Sequence, residues 1–135
     1  MIQQKVEYDK LVNGYEFAPA SFKLDTETAG VYLKAVEDNN HIYKEDKIAP
    51  PMAIAALAMA AMSTGLTLPL GAIHVSQELE FINIINIDEM LTSYAKVNRK
   101  VERGKFHMLT IGINVENQKK TTVMSGETSF ILPLS

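Results

Sequence analysis

Residues 50–65 read PPMAIAALAMAAMSTG, and this stretch decides the fold. Pro50 and Pro51 suit the opening of a helix, because a proline at the first helical position fits the required φ and lacks an amide hydrogen that would find no partner there. Gly65 stands just past the apolar run, where a left-handed residue ends a helix at no steric cost. Between these signals nearly every residue is apolar, on all faces of a helix spanning about Pro51 to Met62. Such a helix has no polar side to offer to water and must be enclosed. The run is much shorter than the roughly 20 apolar residues that cross a bilayer, so it reads as a core helix and not as a membrane span.

The chain after the helix supplies a wrapper. Four extended stretches, about Ala72 to Ile82, Met90 to Val101, Phe106 to Asn117 and Thr121 to Leu132, alternate with period two. Leu109, Ile111, Ile113 and Val115 share one face, as do Leu91, Ala95, Val97 and Val101. The polar connectors Glu102–Lys105 and Asn117–Lys120 suit hairpins, which predicts an antiparallel meander for the last three strands. An antiparallel sheet wrapped around one long central apolar helix is the hotdog arrangement, an α+β fold. One sheet covers only part of the helix and leaves strand edges open, so edge-to-edge pairing into a dimer is expected.

Upstream the signals are weaker. Tyr15 to Leu24 reads as an extended segment that Pro19 breaks or places at an edge. Asp25 and Thr26 can cap a helix from about Thr26 to Glu37, with Val31, Tyr32, Ala35 and Val36 on its inner face. Asp38 to Ile48 is polar and irregular and reads as a loop.

At 135 residues without a linker or repeat, residues 1–135 form one domain. The net charge of −3 with scattered Lys and Arg offers no basic stripe, which argues against nucleic acid as a partner. Cysteine is absent, which excludes disulfides, thiolate nucleophiles and Cys-based zinc sites. His74 and His107 fall in predicted strands without ligand spacing, so no metal and no cofactor is expected. The first residues are polar and carry no signal-peptide core, so a cytosolic location is expected.

Four strings, in order and spacing, resemble the MaoC-like hydratase/dehydratase family, and most of all its short members of the fatty-acid-synthase dehydratase type. They are YLKAVEDNNHIY at 32–43, IAPPM at 48–52, HVSQELEF at 74–81 and GETSFILP at 126–133. The resemblance covers about Gly14 to Pro133 and implies the addition or removal of water at the double bond of an enoyl thioester. The carrier it implies is coenzyme A or acyl carrier protein. In that family a Gly-Asp-x-Asn-Pro-x-His loop handles the water and its proton, and a backbone N–H at the start of the central helix holds the thioester oxygen. Charge develops on that oxygen in an enolate-like transition state, which is why fixed donors are needed there.

Laid on the motif, Glu37 falls on its glycine, Asp38 on its Asp, Asn40 on its Asn, His41 on its Pro and Tyr43 on its His. The resemblance therefore implies Asp38 as base, with His41 or Tyr43 assisting and Asn40 contacting substrate. Tyrosine titrates near 10, so using it as a base at pH 7 costs about 4 kcal/mol. His41 could stand in for the motif histidine if the segment is extended, because i and i+2 then project the same way. At the helix entrance Pro51 falls on the glycine that gives the N–H, and proline has none to give. Met52 or Ala53 could supply it instead, since first-turn amides lack partners. Pro51, Met52 and Ala53 are thus the expected substrate-binding residues.

Local readings stand beside these roles. Asp38 and His41 also read as solvated loop residues, Met52, Met59 and Met62 as core filler or the lining of an acyl channel. Lys96, Arg99, Lys100, Arg103 and Lys105 read as a solvated hairpin, or as contacts for the phosphates of a CoA carrier. Three functions follow: an (R)-specific enoyl-thioester hydratase or dehydratase, a non-catalytic hotdog subunit in a homodimer or heterodimer with a related subunit, and a thioesterase.

Overall fold

The computed structural model describes residues 5–134. Along the chain run β1 (Val6–Glu7), a 3-10 turn (Tyr8–Lys10), β2 (Ala20–Phe22), α1 (Thr26–Ala35), α2 (Ile42–Glu45) and α3 (Pro51–Ser63), then β3 (Leu66–Thr67), β4 (Ile73–Phe81), β5 (Leu91–Arg103), β6 (Phe106–Glu116) and β7 (Thr122–Pro133). Five strands form one antiparallel sheet in the order β2-β5-β6-β7-β4, while β1 and β3 make a small parallel pair. The meander β5-β6-β7 is as expected. Gly104 turns its first hairpin at φ 60°, and the Asn117 side-chain oxygen accepts from the amides of Lys119 and Thr121 in its second.

α3 lies against β2, β3 and β5. Its buried residues are Ala53, Ile54, Ala55, Ala58 and Met62, whereas Met52, Ala56 and Ala60 face outward. The expectation of a helix enclosed on all sides is therefore corrected for a single chain. A sheet of five strands curls over one side of a cylinder and leaves the other to a further covering element.

Alternation along β5 is broken by a bulge between Val97 and Arg99. An extra residue shifts every later side chain to the other face, so Val101 leaves the core face expected for it and lies beside Arg99 and Arg103. Lys100 turns inward instead. Its ammonium donates to the carbonyls of Tyr8 at 2.8 Å and Leu11 at 3.1 Å and so ties the N-terminal segment to the sheet. Of the basic hairpin, this lysine is not a solvated residue.

Asp25 caps α1 by accepting from the Thr28 amide at 2.7 Å. That bond, then the Thr28 hydroxyl, then Lys23, holds the Asp25 carboxyl below the usual carboxylate range despite some desolvation. The inner face of α1 is Ala29 and Leu33, with Tyr32 half-buried. Val31 and Val36, expected inside, are exposed. The helix is rotated because its entry is pinned at buried Leu24, whose carbonyl accepts from the Asp88 amide at 2.9 Å.

α1 ends in a Schellman motif: the Glu37 amide donates to Lys34 O and the Asp38 amide to Leu33 O, with Glu37 at φ 57°. A left-handed conformation strains any residue with a Cβ. Glu37→Gly is accordingly expected to stabilise the protein by about 1 kcal/mol, seen as a higher urea midpoint with an unchanged m-value.

Candidate functional site

The segment between α1 and α3 is not the plain loop expected of it. Asp38 follows the Schellman turn, and its Oδ1 accepts from the Asn40 amide at 3.0 Å. Asn40 Oδ1 in turn accepts from the Ile42 amide at 3.2 Å and starts α2. Short polar side chains bind nearby backbone readily, and here two of them set the path of the chain.

His41 sits at the head of α2 with φ −64° and ψ −23°, and Tyr43 lies inside that helix. Successive helical residues are 100° apart, so His41 and Tyr43 point in different directions. The extended geometry that would let His41 take the place of a histidine at position 43 is thereby corrected. Asp38, Asn40 and His41 are exposed and Tyr43 is half-buried.

The end of this segment reaches α3 through an isolated bridge. The Ala49 amide donates to Ile85 O and the Ile87 amide to Lys47 O, both at 2.8 Å. An apolar groove of about 220 Å³ opens there, lined by Ile48, Ala49, Pro51 and the run Phe81 to Ile85. Of the expected site residues, Pro51 lines it.

The first turn of α3 decides which amide is available. Ala53 N–H donates to Pro50 O at 3.1 Å and is therefore engaged. Pro51 has no N–H, and Met52 N–H has no hydrogen-bond partner among the described residues. One free donor thus stands at the positive end of a thirteen-residue helix, one residue on from Pro51, which lines the apolar groove.

A second constellation went unread in the sequence. On β4 the Nε2 of His74 lies 2.6 Å from the hydroxyl of Thr128, a residue of β7 with 0% exposure, and the His74 ring stacks on Phe130 at 4.9 Å. A bulge between His74 and Ser76 aims the ring. His74 itself is exposed, on the helix-facing side of the sheet's edge strand. Pairing His74 with Thr128 requires the bulge, and sequence alternation alone does not locate one.

No protein-family model matches the chain, and no curated protein matches it. Solved structures do. The R-hydratase PhaJ1 of Pseudomonas aeruginosa superposes with TM-score 0.80 at 22% identity, over 98% of this chain and 89% of that one. The fold is a hotdog. A MaoC-like dehydratase from Rhodospirillum rubrum gives TM-score 0.79 at 17% identity, over 95% of this chain and 97% of its own. The HadBC complex of Mycobacterium tuberculosis, a 3R-hydroxyacyl-ACP dehydratase, gives 0.74 at 15% identity, over 90% and 98%.

In hotdog terms, the wrapped helix is α3 and the wrapper is the five-stranded sheet. Its groove lies where the segment before the helix meets the segment after β4. No helix among the described residues is long and apolar enough to cross a membrane.

Proposed function

We propose that this chain is an (R)-specific enoyl-thioester hydratase, or in reverse a 3-hydroxyacyl-thioester dehydratase, acting in the cytosol on a short acyl group carried by CoA or acyl carrier protein. The observation that carries the reading is the unpartnered Met52 N–H next in the chain to Pro51, which lines the apolar groove. A thioester oxygen held by that amide puts the adjoining acyl carbons against Ile48, Phe81 and Ile85. The groove is smaller than the roughly 300 Å³ of common ligand pockets, which favours an acyl group of few carbons.

Hydration then proceeds in balanced steps. The water oxygen bonds to the β-carbon while its proton passes to Asp38, the π electrons move onto the thioester oxygen, and the α-carbon takes a proton from a general acid that the Asp38 proton restores through solvent. Asp38 has a second carboxylate oxygen free for this work, since Oδ1 is occupied by Asn40 N–H. The working unit is a dimer joined along β4, which pairs with β7 on one side and, among the described residues, has no strand on its other edge. Ile73, Val75, Phe81, Ile82 and Ile84 are exposed along that strand and its extension. Such an edge invites a further strand.

The test is the purified chain with crotonyl-CoA, followed by loss of enoyl absorbance. Asp38→Asn is expected to lower kcat/KM at least about tenfold. It keeps an oxygen for the Asn40 amide, so its melting temperature should match the wild type. Full activity in this variant overturns the role of Asp38. A second reading, a subunit that binds acyl thioester or completes a catalytic partner, is favoured by the missing N–H at Pro51. It predicts an inactive pure chain that becomes active only with a related subunit.

A further inference from the structure

We infer that His74 serves the site of the other copy in the dimer, where it supplies the imidazole that the loop around Tyr43 does not hold. The inference rests on the hydratase reading and on pairing through β4. The His74 side chain is held from several directions at once. Thr128 fixes one ring nitrogen, Phe130 fixes the ring plane, and the bulge at Val75 sets the direction. The other nitrogen, Nδ1, has no hydrogen-bond partner among the described residues, and the side chain is exposed.

Within one chain His74 is remote from the groove. It is the second residue of β4, and Phe81, which lines the groove, ends the strand. They stand seven positions apart along the strand, roughly 23 Å at 3.3 Å per residue. A two-fold axis reverses this. Antiparallel pairing of β4 with a second β4 lays the start of each strand beside the end of the other and keeps both helix-facing sides together.

The side chains select the register. Gln77 and Leu79 face the helix side, opposite Thr128 and Gly126, while Glu78 and Glu80 face away. Centring the pair on Gln77 sets Ser76 against Glu78, whereas a centre on Glu78 opposes that carboxylate to its own copy, which destabilises. With Val75 bulged out, the Gln77 centre puts His74 opposite Leu79 of the partner subunit. Both face the helix side, as directly opposed residues must. Phe81 of the partner subunit is then a diagonal neighbour at about 7–8 Å, within reach of a long side chain.

In this position the imidazolium gives the proton that the α-carbon needs, from Nδ1, as Asp38 takes the proton of the attacking water. The proton on Asp38 returns to His74 through solvent, so one water is consumed and both groups are restored. Thr128 is a positioning residue that keeps Nε2 occupied and Nδ1 toward the substrate.

Two measurements test this. The chain lacks cysteine, so His74→Cys combined with Leu79→Cys introduces the sole thiols. In one strand they stand roughly 15 Å apart, beyond the 7 Å limit for a disulfide. Mild oxidation is expected to give a covalent dimer from the double variant and none from either single variant; a double variant that stays monomeric on a denaturing gel overturns the placement. The second measurement mixes Asp38→Asn with His74→Ala after unfolding and refolding together, and reads activity above the sum of the two variants alone. Service between copies predicts recovery to about a quarter of wild-type activity, because half the dimers are mixed and each holds one intact site. Recovery near zero from an active wild type overturns the inference and leaves the hydratase reading standing, as does full activity in His74→Ala. A wild type that hydrates no enoyl-CoA removes the hydratase reading, and this role with it.

Discussion

Gly126→Ala is expected to cost about 3 kcal/mol, lower the melting temperature by roughly 10 °C and abolish the dimer. Gly126 lies in β7 opposite Leu79 on one side and Ile113 on the other. A Cβ there would overlap the backbone carbonyl oxygen of Glu78 and come within 3.0 Å of a Leu79 methyl carbon. Backbone cannot rotate aside as a side chain can, so β4 must move away from β7. Among the described residues β7 is the one strand that holds β4. Loss of their ladder therefore also removes the edge through which two copies would pair. Gly112→Ala is the control, since the atoms nearest its Cβ belong to the side-chain amide of exposed Asn98, which can swing into water. Thermal melts with size-exclusion profiles distinguish the two. A Gly126→Ala protein as stable as the control would falsify the close approach of β4.

The strands were legible because alternation is a property of the sequence itself. Ile111 and Val115 are fully buried, as their period requires, and the observed strands begin and end within about two residues of the expected ones. What was not legible came from single residues that break the period. The bulge at Asn98 turned Lys100 inward and Val101 out, and the bulge at Val75 brought His74 to Thr128. Neither position carries a composition signal, because a bulge is fixed by the strand opposite. The candidate site was half legible for a related reason. The missing donor at Pro51 follows from the covalent structure of proline alone, and with Ala53 N–H engaged it leaves Met52 N–H as the remaining donor. Where His41 and Tyr43 point depends on whether Asn40 starts a helix, a choice between local and tertiary hydrogen bonds that residue types leave open.

Ile54→Ala is expected to cost about 3 kcal/mol, with a melting temperature lower by roughly 10 °C, while Met52→Ala costs under about 1 kcal/mol. The two residues lie two positions apart on α3 and point to different sides of it. Ile54 is 0% exposed and lies in the core with Leu91, Val97 and Ile111, whereas Met52 is 51% exposed. Removing the buried side chain loses its transfer free energy and leaves a cavity that a curled sheet, fixed by its ladders, closes only in part. Removing the exposed one changes little, because water already reaches it. Urea unfolding of both variants gives the two values directly. Equal costs would mean that the helix is enclosed on all sides at working concentration, with the stripe of Met52, Ala56 and Ala60 covered by a second copy. The difference should then reappear on dilution, since a covering that depends on association weakens with concentration while the intrachain core does not.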